Sequence, residues 1–493
     1  MQPREPSLTD ATTPGDPPPL EGTLPRIIQG GMGIGVSNWR LANAVARLGQ
    51  LGVVSGVAID AVLARRLQDG DEGGHMRRAM ARFPMPGVAA EALARFFRPG
   101  GREPGKPYAL LPMYQQEVSL ARDQFSVLSA FVEVSLAKEG HAGPVGINLL
   151  TKIQMGNLAF LYGAILAGVD YVIMGAGIPR EIPGALDALA KHEPAQFRLE
   201  VEGAAPGQVE LLRFDPGAHW AGAAPPPVVR PRFLPNIASN LLATMLVKKA
   251  NGRIDGFVIE APTAGGHNAP PRDREVSAET GEPLYGPRDV VDLEQIRKLG
   301  LPFWVAGSEG RPDRLRLALE TGAAGIQIGT LFAYCDESGI AEPIRRSVLE
   351  SALRGAVRVR TDARASPTGF PFKRVSWEGD PAVGVVRKRI CDLGYLRDAY
   401  SRGEKGIGYR CASEPEEQFI AKGGAPEELP GRECLCNSLL ATVGLGQLRE
   451  EGAVEPPLLT SGDEAANLAA FLGGRTHYAA ADVVRWLLEG AAG

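Results

Sequence analysis

The stretch Ile27-Ile28-Gln29-Gly30-Gly31-Met32-Gly33 runs a short apolar segment straight into a cluster of glycines. Such a run reads as a strand, and the glycines after it let backbone approach a flat ligand with its amides free to donate. A tight βα turn with no ligand would leave the same cluster. The rest of the chain repeats the opening. Residues 26–29, 52–55, 145–149, 171–174, 233–237, 256–260, 303–306 and 325–328 read as strands. Helical stretches at 39–48, 158–167, 240–249, 291–298 and 314–320 lie between them. Strands alternating with helices imply a parallel sheet with right-handed crossovers, and eight such units is the count of a TIM barrel. The expected fold is therefore α/β, a (β/α)8 TIM barrel.

Some stretches fall outside the repeat. Residues 1–24 read as a disordered Pro-rich leader, neither a secretion signal nor an anchor. The barrel is expected over 25–354, with large insertions at 58–143, which carries Arg-bearing helices, and at 193–231, which begins with a hairpin-like pair of alternating runs. Residues 355–493 form a mostly helical C-terminal extension or lid. Long insertions after strands usually cover a barrel's catalytic face, so the substrate pocket is expected to take its lining from them.

Composition bounds the function. The 493 residues include 53 Lys+Arg against 57 Asp+Glu, a net charge of −4, which leaves no electrostatic footprint for nucleic acid or an anionic membrane. The longest uncharged run, 153–169, is too short and too polar to span a bilayer. Five cysteines make no disulfide scaffold, and an odd count suits a reducing, cytoplasmic compartment. A small-molecule substrate is expected, with no nucleic acid and no membrane partner, and a homodimer is allowed.

Two further segments carry chemistry. Glu260-Ala261-Pro262-Thr263-Ala264-Gly265-Gly266-His267 ends the sixth strand, and reactive groups of a barrel sit at the C-terminal ends of strands. An imidazole there, with its ordinary pKa near 6.5, suits proton abstraction at neutral pH. Ala306-Gly307-Ser308-Glu309-Gly310 and Gln327-Ile328-Gly329-Thr330 follow the seventh and eighth strands, where many barrels bind phosphate. Two ordinary βα loops would look similar, but both falling at those strands points to a phosphate-bearing cofactor. Cys391, Cys411, Cys434 and Cys436 lie close together in the tail; without a C-x-x-C knuckle they read as buried thiols before they read as zinc or iron–sulfur ligands.

In their order and spacing these segments, with Gly146-Ile147-Asn148 and Gly175-Ala176-Gly177, resemble the nitronate monooxygenase (2-nitropropane dioxygenase) family. That family consists of FMN-dependent TIM barrels, and its scaffold also serves flavin-dependent enoyl-acyl-carrier-protein reductases. The resemblance covers roughly 25–335, less the insertions. It implies FMN as cofactor, with Gly30, Gly31, Met32 and Gly33 beside the ring and Asn148 at its edge. Glu260, Gly265 and Gly266 would lie along the ribityl chain and ring, and Gly307, Ser308, Gly310, Gly329 and Thr330 would hold the phosphate. His267 matches the catalytic base. Asn236 stands where many relatives carry Lys on the fifth strand.

The activity so implied is oxidation of nitronates or nitroalkanes with O2 to carbonyl compounds and nitrite. The alternative is a trans-acting enoyl reductase of fatty-acid or polyketide synthesis using NAD(P)H, with an acyl carrier protein docked on a basic patch around Arg65-Arg66 and Arg77-Arg78. A non-catalytic flavin-binding scaffold is a third reading.

Overall fold

The computed structural model describes residues 24–491, so the leader expected at 1–24 lies, apart from Leu24, outside the described residues. Eight strands form one sheet: β1 (Ile27–Gln29), β2 (Gly52–Ser55), β3 (Val145–Leu150), β4 (Tyr171–Gly175), β5 (Arg232–Ile237), β6 (Phe257–Glu260), β7 (Phe303–Ala306) and β8 (Gly325–Ile328). From β2 to β8 each pairs in parallel with the next, and β8 pairs with β1. The ring closes between β1 and β2 by an isolated parallel bridge from Ile28 to Leu51, where Gln29 N donates to Leu51 O at 2.9 Å and Leu51 N to Ile27 O at 3.1 Å. This is the TIM barrel the sequence rhythm implies.

Alternation along these strands divides the apolar side chains into two sets, as a two-residue side-chain period requires. Ile28, Val53, Tyr171, Ile173, Leu234, Val258, Trp304 and Ala306 form one cluster, the interior of the barrel. Their neighbours Ile27, Val54, Val172, Phe233, Phe257, Phe303 and Ile326 face the surrounding helices in the larger cluster. Trp304 closes the bottom of the barrel, donating from Nε1 to Pro25 O at 2.8 Å.

The 58–143 insertion supplies the helices Ile59–Gln68, His75–Met80 and Pro86–Phe96 before Leu120–Ala137 returns the chain to β3. In the 193–231 insertion, Ala195–Leu199 and Glu210–Phe214 pair as the antiparallel hairpin expected there. The extension is helical in its longer elements, Leu435–Thr442 and Ala480–Ala491, but it also folds two antiparallel hairpins. Arg358–Asp362 pairs with Phe372–Ser376, and Asp398–Ser401 with Ile407–Arg410.

The extension is fastened to the insertion by a buried carboxylate. Asp60, on the helix after β2, accepts from Tyr395 Oη at 2.6 Å, from Tyr114 Oη at 3.0 Å and from the guanidinium of Arg122. The arginine pairs expected to form a docking patch are occupied. Arg65 is buried and donates to Leu445 O, Arg66 pairs with Glu133, Arg77 with Asp71 and Arg78 with Glu139. Arg65 is thereby withdrawn from the surface, whereas Arg77 and Arg78 keep 44% and 42% of their side chains exposed. Among the described residues no helix is long and apolar enough to cross a membrane.

Candidate active site

A single cavity opens over the C-terminal ends of the barrel strands, where parallel strands aim their last side chains and loops at one point. It encloses about 1460 Å³ counting its open mouth, and Gly30, Gly31, Met32, Gly33, Asn148, Asn236, Glu260, Gly265, Gly266, His267, Gly307, Ser308, Gly329 and Thr330 all line it. Every residue that the sequence nominated is there except Gly310. The amide of Gly310 is already used, donating to Glu464 Oε1 at 2.8 Å, so it is not open to a phosphate as expected.

The floor is backbone. A Cβ built on Gly31 would lie 2.1 Å from Asn148 Cβ, so only glycine lets β1 and β3 close up under the cavity. Gly307 has φ +105°, and a Cβ there would meet Thr263 Oγ1 at 2.8 Å. Gln29, wholly buried, fixes the β1 turn by donating to Ser37 Oγ at 2.8 Å while its own amide oxygen accepts from Val53 N at 2.9 Å.

The roof comes from the stretch read as an extension or lid, and not from the insertions that were expected to line the pocket. No residue of the 58–143 or 193–231 insertions lines the cavity; the extension does, through Phe372, Tyr395, Leu396, Leu435, Cys436, Leu439 and, in the segment 460–464, every residue but Asp463. That segment clamps the loops after β6 and β8 together. Thr460 Oγ1 accepts from Gly266 N at 2.9 Å, Asp463 N donates to Thr263 O at 3.0 Å, and Gly462 N donates to Thr330 Oγ1 at 3.2 Å. Glu464, Tyr395 and Ser366 escaped sequence reading because nothing local marks them; they matter by where the tail returns to the barrel.

The charges of the site are set by burial. No Lys or Arg lines the cavity; its carboxyls are Glu260, Glu309 and Glu464. Glu309 is paired with Arg314 at 2.7 Å. Burial pushes Glu260 up to about 7, opposed by the amide of Asn236, which donates to Glu260 Oε2 at 2.8 Å. Burial likewise pushes Glu464 to about 7, opposed by the N–H of Gly310. Both acids therefore keep about half of their protons at pH 7, which lessens the negative charge that an anion in the cavity would meet. His267 is shifted the other way: burial lowers it to about 4 and leaves the imidazole neutral. Its Nε2 lies 2.7 Å from Ser366 Oγ, and no carboxylate backs the ring.

FMN fits the residues present. The side-chain oxygens Asn236 Oδ1 and Gln327 Oε1 are buried in the cavity wall without a hydrogen-bond partner, an arrangement that costs free energy unless a ligand donates to them. Asn236, standing where relatives carry Lys, thus presents an acceptor rather than a cation. The tail cysteines also converge: Cys391, Cys411, Cys434 and Cys436 line one small cavity beside the site. Hydrogen bonding with Cys411 lowers Cys391, whereas burial raises Cys434 to about 11. Among the described residues no group of three or more His, Cys, Asp or Glu is placed to hold a metal.

No family model matches the chain. Among curated proteins, a nitronate monooxygenase of Pseudomonas aeruginosa is 29% identical over 184 residues, 37% of this chain and 49% of that protein. The chain is similar to a nitronate monooxygenase. The match spans about half the length of that relative. Solved structures similar to the chain are FabK from Thermotoga maritima (TM-score 0.47, 16% identity, 95% of this chain and 93% of that one) and a nitroalkane oxidase from Streptomyces ansochromogenes (TM-score 0.46, 15% identity, 95% and 96%). The resemblance to nitronate monooxygenases that was read from glycines and one histidine thus recurs in a match over 184 residues, 37% of the chain.

Proposed function

We propose that the chain is an FMN-dependent oxidoreductase that oxidises nitronates, and nitroalkanes it first deprotonates, with O2 to carbonyl compounds and nitrite. The observation that carries this reading is the neutral imidazole of His267 in a glycine-floored cavity with two unmatched amide oxygens. Gly30, Gly31, Met32 and Gly33 would pass beside the flavin, and Asn148, Asn236 and Gln327 would meet its polar edge. Gly307, Ser308, Gly329 and Thr330 would hold the phosphate through backbone amides and hydroxyls. When bound, FMN supplies the electron acceptor for the substrate.

What the chain's own residues do can be derived. His267, neutral above about pH 5, is ready to accept a proton without first losing one. Removing the α-proton of a nitroalkane creates an imidazolium beside an anionic nitronate, and that opposite charge offsets part of the burial that opposes ionisation. A nitronate offered directly needs no such transfer, so the weak buried base favours it as substrate. The apolar roof of Phe372, Leu396, Leu435 and Leu439 excludes water from the reacting centre.

The same roof favours a second reading, in which an acyl chain lies against it and the enzyme is an NAD(P)H-dependent enoyl reductase. That reaction asks His267 to carry a proton to carbon at neutral pH, which burial opposes. Anaerobic titration decides between them. Bleaching of bound FMN by propyl nitronate and not by NADPH supports the oxidase reading; bleaching by NADPH alone supports the reductase. Unchanged turnover of every substrate by His267→Ala would leave only a flavin-binding scaffold. We place the protein in the cytoplasm, since its five free thiols suit a reducing compartment.

A further inference from the structure

The hydroxyl behind His267 comes from the extension, and nothing in the proposed chemistry yet uses it. Ser366 is fully buried in the turn between the strands Arg358–Asp362 and Phe372–Ser376. This turn is fixed against the histidine from both sides. Lys373 N donates to Gly266 O at 2.9 Å, and Asn268 N donates to Pro371 O at 2.9 Å. The rings of Phe370 and Phe372 stand edge-on to the imidazole, with centroids 6.4 and 4.8 Å away. Arg432 holds the turn from outside, donating to Arg364 O at 2.8 Å and to Ser366 O. Neither the ring nor the hydroxyl is free to turn away from the other.

We infer that Ser366, oriented by Thr368, is a positioning residue that fixes the tautomer of His267, holding the proton on Nε2 so that Nδ1 is the nitrogen that takes the substrate's proton. Thr368 N donates to Ser366 Oγ at 3.2 Å, and the two hydroxyls lie 2.8 Å apart. Phe370 N in turn approaches Thr368 Oγ1 at 3.5 Å, leaving that oxygen a free lone pair. The chain is satisfied when Nε2–H donates to Ser366 Oγ, Ser366 Oγ–H donates to Thr368 Oγ1, and the half-buried Thr368 hydroxyl gives its own proton to solvent, whereas the reverse order leaves Nδ1–H without an acceptor among the described residues. Nδ1 has no hydrogen-bond partner among the described residues, so its lone pair is available to the ligand. In the transfer the substrate's α-C–H bond breaks, an Nδ1–H bond forms, and the electron pair stays with the substrate as its anion. Ser366 keeps accepting from Nε2–H in the resulting imidazolium, so nothing behind the ring has to reorganise.

This inference rests on His267 being the base, but its test separates the two. Nitrogen-15 NMR of the histidine-labelled protein at pH 7, with His267 identified by difference against His267→Asn, should show a pyrrole-type Nε2 and a pyridine-type Nδ1. The reverse assignment, or a mixture, overturns the proposal even if His267→Ala abolishes turnover. Loss of turnover in neither His267→Ala nor Ser366→Ala, with the expected tautomer present, would overturn the base reading alone. Ser366→Ala should lower kcat about tenfold to a hundredfold with little change in KM, as loss of orientation does. It should also give a mixed tautomer signal, and Ser366→Thr should restore both. FMN binding, followed by quenching of flavin fluorescence, should be unchanged in each variant. Loss of FMN binding in Ser366→Ala with a wild-type tautomer would mean that Ser366 serves only the fold.

Discussion

Replacing Glu464 by Gln probes the electrostatics of the site without touching the proposed base. Burial raises this carboxyl from an ordinary value of 4.5 to about 7, despite the Gly310 N–H that it accepts. A group that binds its proton more tightly when folded contributes nothing unfavourable below its unfolded value and costs stability as pH rises through its folded one. The interval from 4.5 to about 7 corresponds to roughly 3 kcal/mol, an upper limit reached only above pH 7. Gln keeps an oxygen for Gly310 and carries no charge at any pH. Glu464→Gln should therefore stabilise the apoprotein by about 1 kcal/mol or less at pH 5 and by up to about 3 kcal/mol at pH 8. Urea denaturation followed by tryptophan fluorescence at the two pH values measures both numbers. Equal effects at pH 5 and pH 8 would refute burial as the cause. The same charge lies beside the proposed phosphate site, so FMN affinity of the wild type should fall as pH rises through 7, and that of Glu464→Gln should not.

Gly31→Ala forces a Cβ onto Asn148, and overpacking of this kind costs about 1–3 kcal/mol. The variant should also lose FMN on desalting, read by its visible spectrum. Asp60→Ala strands the buried guanidinium of Arg122 and should cost about 3–5 kcal/mol, whereas Tyr395→Phe should cost about 1 kcal/mol; a larger loss of Tm in the tyrosine variant would contradict the account of the fastening. Because burial holds His267 at about 4, kcat/KM for a nitroalkane should stay level from pH 5.5 to 7, and an inflection near 6.5 would show the ring to be solvated in the working enzyme.

The barrel was legible because its strands are largely buried, so most are short runs rich in apolar residues, several of them next to glycine. The floor of the site was legible for the same reason, since Gly31, Glu260, His267 and Gly307 sit at fixed offsets from those runs. The roof was not. Ser366 and Glu464 are polar letters in loops, and only the return of the tail brings them to residues 267 and 310. The shift of His267 was hidden with them, because the walls that desolvate it include Phe370 and Phe372. Arg65 misled for a related reason: its neighbours in sequence suggest a solvated helix face, but its partner is the carbonyl of Leu445, far along the chain.

The segment 460–464 ties the loops after β6 and β8 by hydrogen bonds to both. A growing polypeptide completes all eight strands well before these residues exist, so the basin is built first and its cover arrives late. A cofactor that settles into the nascent basin would gain the contacts of the roof only when the tail arrives. One that comes afterwards meets the basin already roofed and has the cavity's open mouth to enter by.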